Sequence, residues 1–178
     1  MAMDDGASGQ GLVVRLAERD EDFTFLMPLM REFHGESHYH DMPLSFDAIG
    51  RQFRQCLDRQ DRKGLIMAGH GGRPVGLLPC VAGPYLISDS TIVVTTQAYF
   101  VTAALRGTLL GGRVVVRMLN GAIRWAAARD AWEIMVNVTA GIDPARADRF
   151  LGKAGFRTLG GNYSLRLKRI ADDEWSGE

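Results

Sequence analysis

Two adjacent glycines, Gly111 and Gly112, stand in the first turn of a long amphipathic helix, directly after a β-rich run. They sit within Val101-Thr-Ala-Ala-Leu-Arg106-Gly-Thr-Leu-Leu-Gly111-Gly112-Arg113. A glycine inside a helix costs about 1 kcal/mol relative to alanine, so this is a poor way simply to begin one. The pattern makes sense where something approaches the backbone closely. A helix N-terminus offers unpaired N–H groups and the positive end of a dipole, which suits phosphate. From Val101 through Arg129 there is no acidic residue, while Arg106, Arg113, Arg117, Arg124 and Arg129 all fall inside the segment. Arg113, Arg117 and Arg124 share one helical face by spacing. The segment therefore predicts an anion site for a phosphate-bearing ligand. The competing reading is a solvated basic helix face behind a glycine turn.

Around this turn the chain alternates strand and helix signals. Gly11 to Leu16 reads as a short strand. Phe23, Leu26, Met27, Met30 and Phe33 recur near helical spacing over Glu21 to His34, with Pro28 as an expected kink. Ser45 is a cap for a second helix that would bury Phe46, Ile49, Phe53 and Leu57. Leu65–Ala68 and Val75–Val81 flank His70-Gly-Gly-Arg-Pro74, a hairpin signal. Thr91 to Val101 is rich in β-branched and aromatic residues and reads as one central strand. The helix from about Leu110 to Arg129 carries Val115, Leu119, Ala122 and Ala126 on one face. Trp132 to Val138 is a further strand, and Pro144 starts a short helix over Asp143 to Ala154. Phe156–Leu159 and Tyr163–Leu167 read as closing strands around Gly160-Gly161. The order β-αα-βββ-α-β-α-ββ predicts an α/β domain over residues 11–170. Residues 1–10 and the acidic tail 171–178 read as flexible ends.

Composition narrows the partners. A chain of 178 residues suffices for one core. With 21 basic against 21 acidic residues the net charge is zero, which argues against a protein built to coat nucleic acid. Cys56 and Cys80 lie in no C-x-x-C pattern and near no histidine pair, so they read as reduced thiols of a cytoplasmic protein. No apolar run reaches membrane-span length, and Met-Ala-Met-Asp-Asp has no signal-peptide character. No membrane or nucleic-acid partner is expected.

The element order and the glycine turn together resemble the GNAT superfamily of acyl-CoA N-acyltransferases, over about Val13 to Leu167. That family writes V-x-P-x-x-R-G-x-G-x-G/A across the end of its fourth strand and its third helix. Val101, Arg106, Gly107 and Gly111 fall on that pattern at the right spacing. Gly72-Arg-Pro-Val-Gly76 resembles the usual turn into strand three, and Ala147 with Lys153-Ala-Gly-Phe156 resembles the end of the segment A-x-x-L-Y-x-K-x-G-F. The resemblance implies a GNAT-like mixed central sheet with splayed fourth and fifth strands, flanking helices, and acyl-CoA in the gap between those strands. It implies that the amides of Arg106, Gly107, Thr108, Leu109, Leu110, Gly111 and Gly112 hold the pyrophosphate. It implies too that the main chain of Tyr99, Phe100 and Val101 pairs with the pantetheine. The chemistry so implied needs no metal: an amine attacks a thioester, and the protein handles the proton and the developing oxyanion.

The sequence departs from the family at several of these places. Ala103 stands for the family proline, Leu109 for the first loop glycine, and Gln97 for a frequent fourth-strand carboxylate. Pro144 replaces an asparagine, and Leu151 replaces the common acid tyrosine. Tyr163, after Gly160-Gly-Asn, is the replacement acid, against the reading of a strand aromatic packed on a helix. Asn137 is a pantetheine contact or a cross-strand structural bond. His34, Glu36, His38 and His40 lie where GNAT-like proteins admit the acceptor, and His38 is taken as the base. An exposed polar loop is the competing reading, and metal binding there has no supporting cysteine or second cluster. The expected activity is acetyl-CoA-dependent N-acetylation of a primary amine on a small molecule, peptide or protein. The runner-up is a non-catalytic acyl-CoA-binding or interaction module. The resemblance also carries the expectation of a homodimer.

Overall fold

A computed structural model describes residues 11–138 and 140–160. In chain order the elements are β1 (Leu12–Leu16), α1 (Glu21–Glu36), α2 (Phe46–Asp58), β2 (Lys63–His70), β3 (Arg73–Tyr85), β4 (Ser88–Thr96) and β5 (Phe100–Val101). A 3-10 turn (Ala103–Leu105), α3 (Leu109–Ala127), β6 (Glu133–Val136) and α4 (Pro144–Lys153) follow. The strands form one mixed sheet in the order β1-β2-β3-β4-β6, with β5 paired to β3. All pairings are antiparallel except β4 with β6, which run parallel. The chain up to Ile142 is one compact unit, and a second unit starting at Asp143 contains α4.

Local chemistry sets the element ends. Ser45 caps α2, its hydroxyl accepting from the amide of Ala48 at 3.2 Å. Asp143 does the same for α4, accepting from Arg146 at 3.1 Å, with Pro144 in the first turn where its missing N–H is harmless. β2 and β3 meet across Gly71-Gly72, the turn expected from sequence. α1 runs through Pro28.

The sheet separates two cores. On one face Ile66, Ala68, Leu78, Cys80 and Val94 pack with Val114, Met118, Ala122 and Trp125 of α3. On the other, Met67, Leu77 and Phe100 pack with Leu26 and Leu29 of α1 and Phe53 of α2. Alternating side chains along β2 thus serve both layers. Among the described residues no helix is long and apolar enough to cross a membrane, and no group of three His, Cys, Asp or Glu side chains could hold a metal ion.

Four expectations need correction. Thr91 to Val101 is not one strand, because β4 stops at Thr96 and β5 begins at Phe100. Phe46 is exposed, with the guanidinium of Arg31 over its ring at 4.4 Å from the centroid. The stripe of α3 facing the sheet is centred on Val114, Met118, Ala122 and Trp125, and Val115 lies at its margin. Phe156–Leu159 forms no strand within the described residues. The expected strand Tyr163–Leu167 and both expected flexible ends lie outside the described residues.

Candidate functional site

The break between β4 and β5 is a one-residue insertion against a continuous partner. Thr96 lies opposite Cys80 and Phe100 opposite Leu77, so four steps on one side match three on β3. That count is a β-bulge, which bends the strand and ends regular pairing. The parallel ladder between β4 and β6 stops at the same level, with Thr96 opposite Val136. There the Thr96 hydroxyl accepts the amide of Asn137 at 3.1 Å and closes the ladder. Beyond it, no backbone hydrogen bond joins Phe100–Val101 to Asn137–Val138 among the described residues. Two edges that run side by side as β4 and β6 have parted.

The register decides which groups face the parting. The amide of Thr102 donates to the carbonyl of Val75 at 3.0 Å, so Thr102 and Phe100 form the hydrogen-bonded pairs with β3. Alternation then turns the N–H and C=O of Val101 away from β3, toward the β6 side. The Val101 carbonyl is occupied by Nε of Arg106 at 2.8 Å.

Past β5 the chain makes the 3-10 turn and enters α3 through a tight loop. Gly107 has φ of 86°, in the left-handed region that favours glycine. Thr108 is the N-cap of α3, and its hydroxyl works in both directions. It accepts from the amide of Gly111 at 3.0 Å and donates to the carbonyl of Leu105 at 2.8 Å. Gly111 is buried against that same carbonyl, with no room for a side chain. Its missing β-carbon is thus required by the chain's own folding. Gly112, by contrast, faces open space, with nothing within 4 Å of where its β-carbon would stand. Leu109, at the family's glycine position, is 89% exposed and therefore takes up no room inside the loop. The amides of Leu109 and Leu110 belong to the first helical turn, whose N–H groups have no intrahelical acceptor.

Helix α1 holds this loop from the side. Glu32 accepts from the Thr102 hydroxyl at 2.8 Å and from the amide of Ala103 at 2.6 Å. One turn later, Glu36 forms an ion pair with Arg106 at 2.5 Å. The Arg106 guanidinium also lies over the ring of Phe100, 4.9 Å from its centroid. Arg106 therefore spends its side chain on Val101, Glu36 and Phe100. Glu32 escaped the sequence reading, since nothing marks it apart from other acids of an amphipathic helix.

The remaining sequence candidates are placed as follows. The Tyr99 hydroxyl donates to the carbonyl of Val115 at 2.8 Å, and burial pushes its phenol far above the usual range, so it is a structural side chain. Phe100 is buried, in edge contact with Phe33 at 5.2 Å between centroids. His34 bonds the carbonyl of Met42 at 2.8 Å, and His40 bonds that of Ser37 at 3.1 Å. His38 is exposed, and its amide donates to the carbonyl of Ala140 at 2.8 Å. That bond ties the α1–α2 loop to the segment leaving β6, three residues beyond Asn137. Burial pushes the thiol of Cys80 up to about 12, and Cys56 is also raised by burial, so neither cysteine is an activated nucleophile. Tyr163 lies outside the described residues.

Neither a family model nor a curated protein sequence matches the chain. Solved structures do. A transcriptional regulator from Bacillus halodurans C-125 is similar at 19% identity and a TM-score of 0.64, over 88% of this chain and 99% of that one. AAC(6')-Iy, solved with the bisubstrate analog CoA-S-monomethyl-acetylneamine, is similar at 16% identity and 0.65, over 88% and 98%. Glucosamine-6-phosphate N-acetyltransferase from Arabidopsis thaliana is similar at 11% identity and 0.65, over 89% and 99%. The fold is the GNAT fold. In its terms β4 with β5 is the bulged fourth strand, β6 is the fifth, and α3 is the helix entered through the glycine loop.

Proposed function

We propose that this chain is an acetyl-CoA-dependent N-acetyltransferase that acts on a primary amine of a small molecule, peptide or protein. The observation carrying this reading is the parted edge: the Val101 amide faces away from β3, beside a helix start folded around Gly107 and Gly111. Those residues fit the donor. Of the backbone amides from Arg106 to Gly112, those of Arg106, Thr108, Gly111 and Gly112 bond within the loop. Those of Gly107, Leu109 and Leu110 take no acceptor among the described residues and suit a pyrophosphate, for which the open face at Gly112 leaves room. The main chain of Tyr99 to Val101 pairs with the pantetheine arm, and Asn137 meets it from the other edge. The structural neighbour AAC(6')-Iy, whose ligand is built on CoA, supports the choice of donor.

Bound there, acetyl-CoA supplies the thioester whose acetyl group passes to the amine nitrogen as the CoA thiolate leaves. The Val101 amide is aimed to polarise the thioester carbonyl. In this reading His38 takes the proton from the acceptor's ammonium group, leaving the free amine to attack, supported by its exposure and by its loop's bond to Ala140. Tyr163 returns a proton to the leaving sulfur. The reading includes a cytoplasmic location, supported by the two unpaired cysteines, and a homodimer, supported by the resemblance alone.

Thermal melts with acetyl-CoA test the binding half, since a ligand of the folded state raises Tm by mass action. No shift at millimolar acetyl-CoA removes the proposal. Release of free CoA thiol across a panel of amines tests the chemical half. Gln97 in place of a carboxylate and the buried Leu151 in place of the acid tyrosine favour one second reading, a non-catalytic acyl-CoA-binding or interaction module. A Tm shift without thiol release from any amine class selects it.

A further inference from the structure

We infer that Glu32 is a positioning residue for the donor site: from α1 it sets the geometry of the loop that receives the CoA pyrophosphate. The inference rests on the proposed donor site and adds to it a residue that does not touch the ligand. Three observations carry it. Glu32 takes two donors at once, the Thr102 hydroxyl and the Ala103 amide, at the point where β5 gives way to the 3-10 turn. Thr102 is also the residue whose amide closes the β3 ladder, so this carboxylate fixes the last residue held by the sheet. The 3-10 turn it starts runs to Leu105, whose carbonyl receives the Thr108 hydroxyl and lies against Gly111. Glu32 is thus hydrogen-bonded to the end of the sheet edge that frames the gap, one short turn from the helix start. Glu36, one turn along the same helix, pairs with Arg106 and holds the far end of that turn.

This arrangement joins the two sides of the site. α1 leads into the loop that carries His38, where the amine is expected to enter, and its last two turns grip the donor loop. A displacement of α1 would shift both. Charge is not what the geometry demands of Glu32. Each of its two donors needs an oxygen acceptor, and glutamine supplies one.

The test is acetyl-CoA affinity by titration calorimetry on the full chain, with Tm recorded for each variant. Glu32→Ala is expected to weaken acetyl-CoA binding by about tenfold, through loss of the hydrogen bonds that position the loop. Glu32→Gln is expected to restore affinity to within about threefold of the unsubstituted chain. Asp22→Asn, at the opposite end of α1, controls for helix stability: it should lower Tm without changing affinity. Where Glu32→Ala does not fold, Thr102→Val removes one of the two donors and is expected to weaken binding by about threefold. Equal affinity in Glu32→Ala, or in Thr102→Val, while the unsubstituted chain binds acetyl-CoA, overturns the inference alone. A loss in Glu32→Ala matched by Asp22→Asn reduces Glu32 to general stability and overturns it too. Absence of binding by the unsubstituted chain overturns the donor-site reading, and the inference falls with it.

Discussion

A β-carbon placed on Gly111 would stand 1.9 Å from the carbonyl oxygen of Leu105. Backbone atoms cannot yield that distance without moving the loop, whereas one residue later the same construction at Gly112 meets nothing within 4 Å. Two neighbouring glycines therefore have different reasons for being glycine.

Gly111→Ala should cost about 1–3 kcal/mol, in the range for forcing atoms into a packed site. Gly112→Ala should be neutral or stabilising by up to about 1 kcal/mol, because it replaces a helical glycine in open space. Denaturant melts of the two variants give the comparison, and equal destabilisation would contradict it. In the donor-site reading, Gly112→Glu keeps the fold while its charge repels the pyrophosphate and lowers acetyl-CoA affinity.

Tyr99→Phe deletes one hydroxyl that donates to Val115 and should cost about 0.5–1.5 kcal/mol. Because burial holds that phenol far above its ordinary range, it does not ionise near neutral pH. The pH profile of thiol release should therefore be the same in Tyr99→Phe and the unsubstituted chain. A lost alkaline limb would give Tyr99 a catalytic role.

Asp22 sets an acid limit to stability. Burial pushes its carboxyl up, but bonds from Arg15 and from the amides of Glu18 and Arg19 outweigh this and hold it below the ordinary value of 3.8. A depressed folded-state pKa contributes stability above the unfolded value and loses it as pH falls through the folded one. Tm should accordingly drop on acidification below about pH 4. Asp22→Asn should start lower, by about 1–3 kcal/mol, and vary less over that window. Parallel Tm curves for the two would refute the assignment.

His38→Ala tests the proposed base. Removal of a general base lowers kcat by about 100-fold or more, with the loss shrinking as pH rises and the free amine becomes abundant. The acetyl-CoA-dependent rise in Tm should survive. A variant with the original kcat and pH profile would leave the amine to lose its proton elsewhere.

Much of this architecture could be read from short-range chemistry. Ser45, Gly71-Gly72 and Pro144 mark element ends by rules acting over two to four residues, and each end lies where those residues place it. The loop was legible because Val101, Arg106, Gly107 and Gly111 keep a fixed spacing. The interruption of Thr91–Val101 was not. Its residues favour strand throughout, and the bulge exists only in their register against Cys80 and Leu77, some twenty residues away in sequence. The exposure of Phe46 likewise depends on Arg31 from another helix. Gly111 was legible as a special position, but its reason was not. The sequence suggested room for a ligand, and the space is filled by the carbonyl of Leu105. Glu32 was silent because its partners, Thr102 and Ala103, come close only after the sheet has formed.

The Thr108 hydroxyl closes a small ring, taking its donor from Gly111 and giving its proton to Leu105. A loop cross-linked in this way has already given up most of its conformational freedom before any ligand arrives. Binding to such a loop loses little further entropy in ordering it. In the donor-site reading the encounter rate is then governed by diffusion and by the field of the basic side chains nearest the helix start, Arg113 and Arg117, and it should slow as salt is added.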